Sequence, residues 1–304
     1  MASSRIDLVR AHFSAAAAET QVPTQNLAAA AQEEPYLKVV RDEVNGKPTG
    51  VVILSFNRPK TLNHMSVEMG EAVVDFVNKA KNDSTIRCVI LTGEGRAFSA
   101  GGDVRGMLQR TLEPPAANHS ENQAQFYGRF LSIRQLPVPV IAAINGPAAG
   151  AGLSVALACD MRLVAEDAKI GVTFVRIGLH PGMGCTHTLL KIVGHQNAAR
   201  LLLTGDTITG KEAKELGIVL AAVPKEKLIE ESLKLARRVA TASPIAVRQA
   251  TLSIRKQTDE GLERALLREA DNQALNNVLP DLKEGLDAVI NKREPVFRNI
   301  GDYN

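Results

Sequence analysis

The chain has 304 residues, 45% hydrophobic and 23% charged, with a formal net charge of +3 and only 4% aromatics, none of them tryptophan. This composition is that of a folded domain with a full core; it excludes a chain disordered throughout, and no stripe of Lys and Arg interleaved with aromatics marks a nucleic-acid surface. No run approaches the ~20 apolar residues of a membrane span, so no membrane association is expected.

Residues 1–35 are rich in alanine, with Arg5 and Arg10 in helical spacing and Asp7 and Glu19 among Ser, Thr and Gln. They read as a mitochondrial transit peptide or, equally, as a flexible extension, which makes the expected location mitochondrial or otherwise cytoplasmic. From Tyr36 short β-rich runs alternate with longer helical ones, the signature of an α/β chain. Residues 51–56 read as a buried strand ended by Asn57-Arg58-Pro59, followed by a helix over 66–81 with Ser66 as its N-cap. A second strand over 88–91 stops at Thr92-Gly93-Glu94-Gly95. Residues 111–120, with Pro114-Pro115, form a loop, and a third strand over 138–144 stops at Asn145-Gly146-Pro147. A helix over 153–157 and a strand over 161–164 follow. Beyond Lys225 the apolar positions Leu228, Leu233, Leu235, Val239, Leu262, Leu266 and Leu267 give an almost wholly helical pattern. The chain therefore divides into the extension 1–35, a core over 36–224 and a helical region over 225–304. The three cysteines, Cys88, Cys159 and Cys185, have no CxxC or zinc spacing and read as buried free thiols.

Two glycine-rich turns carry the chemistry: Phe98-Ser99-Ala100-Gly101-Gly102-Asp103-Val104 after the second strand, and Asn145-Gly146-Pro147-Ala148-Ala149-Gly150-Ala151-Gly152-Leu153 after the third. Small residues let backbone N–H groups approach a ligand, and the second turn adds the positive end of a helix. Either turn alone often does no more than close a loop. Together they supply the two donors of an oxyanion hole. Neither contains Gly-Lys-Ser/Thr or the spacing of a dinucleotide site.

These turns, with Asn57-Arg58-Pro59-Lys60-Thr61-Leu62-Asn63, Ala156-Leu157-Ala158-Cys159-Asp160, Ile177-Gly178-Leu179-His180-Pro181-Gly182-Met183-Gly184 and Leu202-Leu203-Thr204-Gly205-Asp206, resemble the enoyl-CoA hydratase/isomerase (crotonase) superfamily over residues 36–295. The resemblance implies an α/β fold, a crotonase-type spiral of ββα units with a helical C-terminal trimerisation region. It also implies a homotrimer or homohexamer, a place in fatty-acid metabolism, and an acyl-CoA thioester as partner, with no cofactor because coenzyme A is part of the substrate. Mapped onto this sequence, the backbone donors to the thioester oxygen fall on Gly102 and on Ala151, where the family usually has glycine. Lys60, Thr61, Leu62, Ala100, Asp103 and Val104 line the adenine and pantetheine path beside Gly150, and Arg105 meets a phosphate or is simply a surface cation.

The sequence departs from the hydratase pattern at the acid and base. The family's two glutamates correspond to Ser154 and Phe174, and the aspartate used by other branches corresponds to Gly182. None of these can take a proton near neutral pH, and general acid–base catalysis contributes roughly 10²–10⁴-fold. His180 in the same loop is a replacement base or a structural histidine, with Cys185, His187 and Thr173 nearby in sequence. Two further readings stay open: an external or substrate carboxylate in the space left by Ser154, as in a decarboxylase or cyclase, and a non-catalytic acyl-CoA-binding oligomer. Phe174 dries the pocket and favours hydrophobic acyl groups.

Overall fold

The computed structural model describes residues 34–112, 118–299 and 301. The readings for the N-terminal extension and for Pro114-Pro115 lie outside the described residues. From Pro35 onward the chain forms one compact unit.

A six-stranded sheet runs in the order β1-β2-β3-β4-β6-β9, built from β1 (Leu37–Val44), β2 (Lys47–Phe56), β3 (Cys88–Gly93), β4 (Val140–Ile144), β6 (Met161–Ala165) and β9 (Ala221–Val223). Only the β1–β2 pair is antiparallel, and the rest are parallel. Every residue of β3 and of β4 is buried, so these strands read as continuous apolar runs rather than alternating ones, as expected of a sheet covered on both faces. The period of two still sorts the faces. Val52, Leu54, Val89, Leu91, Val140 and Ala142 point into the main core. Val51, Cys88, Ile90, Ile141 and Ala143 point the other way, onto Leu228 and Ala236 of α7 (Leu228–Ala240). A smaller sheet joins β5 (Ala148–Ala149), β7 (Lys169–Gly171) and β8 (Ile208–Thr209).

The helix predicted over 66–81 is α1 (Val67–Ala80), and Ser66 does cap it, its hydroxyl accepting from the Met69 N–H at 3.3 Å. Met69, Val73, Val77 and Ala80, at successive steps of four, four and three, enter the main core. The other helices are α2 (Val104–Arg110), α3 (His119–Leu131), α4 (Ala151–Ala158), α5 (Cys185–Thr204, interrupted at Gly194), α6 (Gly210–Glu215), α8 (Pro244–Thr258), α9 (Leu262–Val278) and α10 (Pro280–Ile290). The end of the stretch read as a loop is thus helical, because α3 starts at His119.

One buried ion pair ties α8 to the sheet. Arg255 meets Asp160 through Nε (2.8 Å) and Nη2 (2.5 Å), and donates to the carbonyls of Arg134, Leu136 and Val138 at 2.6–3.1 Å. Asp160 also accepts from the Val140 N–H at 2.7 Å. It therefore fixes the entry of β4, and with it the second glycine-rich turn at the far end of that strand.

Candidate active site

The loops that follow β3 and β4 are hydrogen-bonded to each other. The Phe98 and Ser99 N–H groups donate to Pro147 O at 3.1 and 3.2 Å, and the Ala149 N–H donates to Ser99 O at 3.0 Å. Gly101 has φ +86°, and a Cβ on it would stand 2.5 Å from Ala149 O and 3.5 Å from Ala151 N. A side chain there would push the two turns apart, which is why this position demands glycine. Gly150 caps α4 at φ 51°, ψ −118°, with its N–H bound to Gly171 O at 2.8 Å. Gly102 and Ala151 thus come from neighbouring turns. Among the described residues no acceptor takes the N–H of either, and Ala151 is only 6% exposed.

The turn over residues 58–63 closes one side. Leu62 and Asn63 both have φ 55°, a left-handed conformation that costs a non-glycine residue about 1–3 kcal/mol. The buried Asn63 side chain holds it, donating to Glu94 O (3.0 Å) and Ala97 O (2.9 Å) and accepting from the Arg58 N–H (2.8 Å). The Ala100 N–H then reaches Leu62 O at 2.9 Å, and the Met65 N–H reaches Gly101 O at 2.7 Å. Leu62, Ala100 and Gly102 are thereby brought together, with Asp103 and Val104 half-buried at the start of α2. Lys60, Thr61 and Arg105 lie exposed on the surface.

The acid–base side is apolar or already hydrogen-bonded. Phe174 is buried, with its ring 3.7 Å from where a Gly150 Cβ would sit, and the Thr173 hydroxyl is at the same distance. The Ser154 hydroxyl, 1% exposed, lies 3.0 Å from Gly150 O and 3.3 Å from Gly182 O, so its single proton is committed to a backbone carbonyl. A Cβ on Gly182 would stand 2.4 Å from Tyr127 Oη and 2.5 Å from Gln273 Nε2. The space that an aspartate would enter is filled by other polar groups. Tyr127 is itself buried, and among the described residues its hydroxyl closes no hydrogen bond.

His180 is held from three directions. Its N–H donates to Asn276 Oδ1 (2.7 Å), its carbonyl accepts from Gln273 Nε2 (2.6 Å), and Nδ1 lies 2.6 Å from Pro181 O. A ring nitrogen facing a carbonyl carries the proton, which leaves Nε2 with the lone pair. Burial pushes the imidazole pKa down, the Pro181 carbonyl partly opposes this, and Arg268 adds to the depression. The His180 imidazole is therefore mostly uncharged at pH 7. Cys185 and His187 are not alternatives. Cys185 is fully buried, its thiol pushed far up by burial and by the Glu269 carboxylate, and His187 Nε2 turns to Thr258 O at 2.9 Å.

Sequence reasoning missed the residues that hold this loop. Glu269 on α9 is wholly buried, with Oε2 accepting from the Gly184 N–H (2.6 Å) and Oε1 from the Thr186 N–H (3.0 Å) and hydroxyl. It caps the start of α5 from another helix. Burial raises its pKa, while Thr186 and Gly184 pull it back. Glu269, Gln273 and Asn276 fall at i, i+4 and i+7, one polar stripe on α9, and that spacing was the available signal.

The sequence profile described as "Enoyl-CoA hydratase/isomerase" matches residues 46–300. The chain is similar to 2,3-dehydroadipyl-CoA hydratase of Escherichia coli K12, at 32% identity over 82% of this chain and 95% of that protein. It is likewise similar to 1,2-epoxyphenylacetyl-CoA isomerase of the same organism, at 35% identity over 82% of this chain and 95% of that one. Among solved structures, an enoyl-CoA hydratase from Mycobacterium avium subsp. paratuberculosis K-10 superposes with a TM-score of 0.75 at 30% identity, covering 87% of this chain and 99% of that one. The expected crotonase-type α/β architecture is thus borne out, and the chain belongs to the enoyl-CoA hydratase/isomerase family.

Proposed function

We propose that this family member binds an acyl-CoA thioester with its carbonyl oxygen between the Gly102 and Ala151 N–H groups and stabilises the enolate formed there. The observation that carries this reading is the pair of free N–H groups on two turns locked together through Gly101. Donors fixed before the charge develops need no reorganisation when it does. Coenzyme A follows Lys60, Thr61, Leu62, Ala100, Asp103 and Val104, with Arg105 on a phosphate. The acyl group meets Gly150, Phe174 and Ser154. His180 Nε2 takes or returns the proton at the α-carbon, the one uncommitted base in the loop. Exposed apolar residues on α8 and α9, among them Ile245, Leu252, Leu267 and Leu275, support assembly into a homotrimer or homohexamer. A mitochondrial location remains part of the proposal.

The test is exchange of the α-proton. Purified protein is incubated in D₂O with a panel of saturated and 2-enoyl-CoAs, and deuterium uptake and products are followed by mass. Exchange that disappears in His180→Ala supports the reading. A second reading, a non-catalytic acyl-CoA binder, is favoured by the commitment of Ser154 to a carbonyl and the blocked space at Gly182. Tight thioester binding with no exchange for any member of the panel would establish it instead.

A further inference from the structure

We infer that a cavity between the first turns of α5 and α9 binds a small phosphorylated ligand, at a site distinct from the acyl-CoA path. The cavity has a volume of about 350 Å³ and is lined by His187, Lys191, Arg264 and Arg268, together with Thr186 and Leu190. Four basic side chains converge on it, three of them charged at any physiological pH.

The protein answers their charge only in part: Glu269 acts on Arg268 through space without forming an ion pair with it. Among the described residues none of Lys191, Arg264 and Arg268 forms an ion pair, and the nearby acids are engaged or turned elsewhere. Asp259 pairs with Arg134, the Glu269 carboxylate is held by Gly184 and Thr186, and neither Glu260 nor Glu263 lines the cavity. Neutral acceptors position two of the donors without cancelling them: Lys191 Nζ is fixed by Thr258 O (2.9 Å) and Glu260 O (3.3 Å), and the His187 ring by Thr258 O (2.9 Å). The two arginines are placed against their own electrostatics. Arg264 stands in the first turn of α9, where the helix dipole disfavours a cation, and Arg268 repels it from i+4. Such an arrangement gains from an anion bound between them.

The class of anion follows from charge and shape. A single carboxylate would leave most of the charge unanswered, whereas a phosphate or diphosphate matches it and offers oxygens to two guanidinium forks. The volume suits a compact ligand rather than a polymer.

The experiment titrates pyrophosphate into the full-length protein by calorimetry, with saturating coenzyme A present to occupy the acyl-CoA path. Saturable binding at one site per chain is expected, weakened at least about tenfold in R264Q/R268Q, the scale of losing two charge-assisted contacts, and weakened less in R264K/R268K, which keeps the charge but loses the forks. Circular dichroism confirms that each variant is folded. The inference is overturned if no binding is seen, if KCl at equal ionic strength abolishes it completely, or if R264Q/R268Q binds like the parent. A change in sedimentation without a change in pyrophosphate affinity would also overturn it, making the cavity a contact between subunits.

Discussion

Replacing Ala151 with proline removes one N–H and puts the ring Cδ where its hydrogen pointed, so it denies the proposed oxyanion hole one of its two donors. Ala151 is the first residue of α4, a position where proline is favoured because its missing N–H is not needed by the helix. Among the described residues the Ala151 N–H has no acceptor, so no internal bond is lost there. Gly150, at φ 51° and ψ −118°, is already outside the right-handed helical region that a following proline disfavours. Stability should therefore change by less than about 1 kcal/mol, or a few degrees in Tm for a chain of this size. Losing one oxyanion donor costs about 2.7–4 kcal/mol of transition-state stabilisation, roughly 10²–10³ in rate. The assay is α-proton exchange in D₂O read by mass, paired with melting followed by circular dichroism because the chain has no tryptophan. Ala151→Pro should melt like the parent and lose exchange by that factor, while Ala151→Gly, which keeps the N–H, should stay close to the parent. A folded Ala151→Pro that exchanges at the parental rate refutes the assignment of this donor.

Three further outcomes follow from the same geometry. Gly182→Ala places a methyl group 2.4 Å from Tyr127 Oη, so it should destabilise by about 1–3 kcal/mol, and by measurably less in a Tyr127→Phe background that removes the nearer atom. Glu269→Ala leaves the buried Gly184 N–H unpaired at about 1–3 kcal/mol and frees the half-buried Thr186 N–H, and amide hydrogen exchange at both should speed up relative to β3. For His180 the folded pKa lies below the unfolded one, so the unfolded chain binds the extra proton. The contribution to stability is present above the unfolded pKa of about 6.5 and is lost as pH falls from there toward the folded value. Melting temperatures between pH 7 and pH 5 should fall less steeply in His180→Asn, and an identical slope would reject the imidazole as the titrating group.

What was legible in the sequence was the part governed by local rules. The strands over 51–56 and 88–91 and the Ser66 cap follow from apolar runs, Gly and Pro stops and capping chemistry, and they recur in β2, β3 and α1. The turn glycines were legible as small residues, but the reason for Gly101 was not. It is a close approach to Ala149, 48 residues away in the sequence numbering, and no local pattern encodes it. The helix α3 was missed because its segment is polar and only Tyr127 and Phe130 are fully buried, with Ala124, Phe126 and Leu131 packed partly against the core. Asp160 stood among the motif residues without a role, and only the fold pairs it with Arg255, 95 positions later. The C-terminal helices read as a separate region, yet α9 reaches into the site through Glu269, Gln273 and Asn276.

The three positions without an acid are blank for different physical reasons, and this bears on what chemistry can occur. Ser154 is short and bound to carbonyls, Phe174 fills space with a ring, and Gly182 is held at glycine by Tyr127 and Gln273. Reinstating a single carboxylate therefore does not rebuild the hydratase arrangement, because each site now has an occupant or a steric limit. The polar groups that remain are spent on backbone, with Glu269, Gln273 and Asn276 all bound to the loop over 180–186. Among residues as buried as Ser154 and Phe174 a charged base is penalised, while the proposed hydrogen bonds from two fixed N–H groups to an enolate would gain strength. The base best suited to that setting is neutral before the reaction and within the loop the stripe of α9 holds in place. For the proposed chemistry His180 meets both conditions: burial lowers its pKa, and the contact of Nδ1 with Pro181 O leaves the lone pair on Nε2.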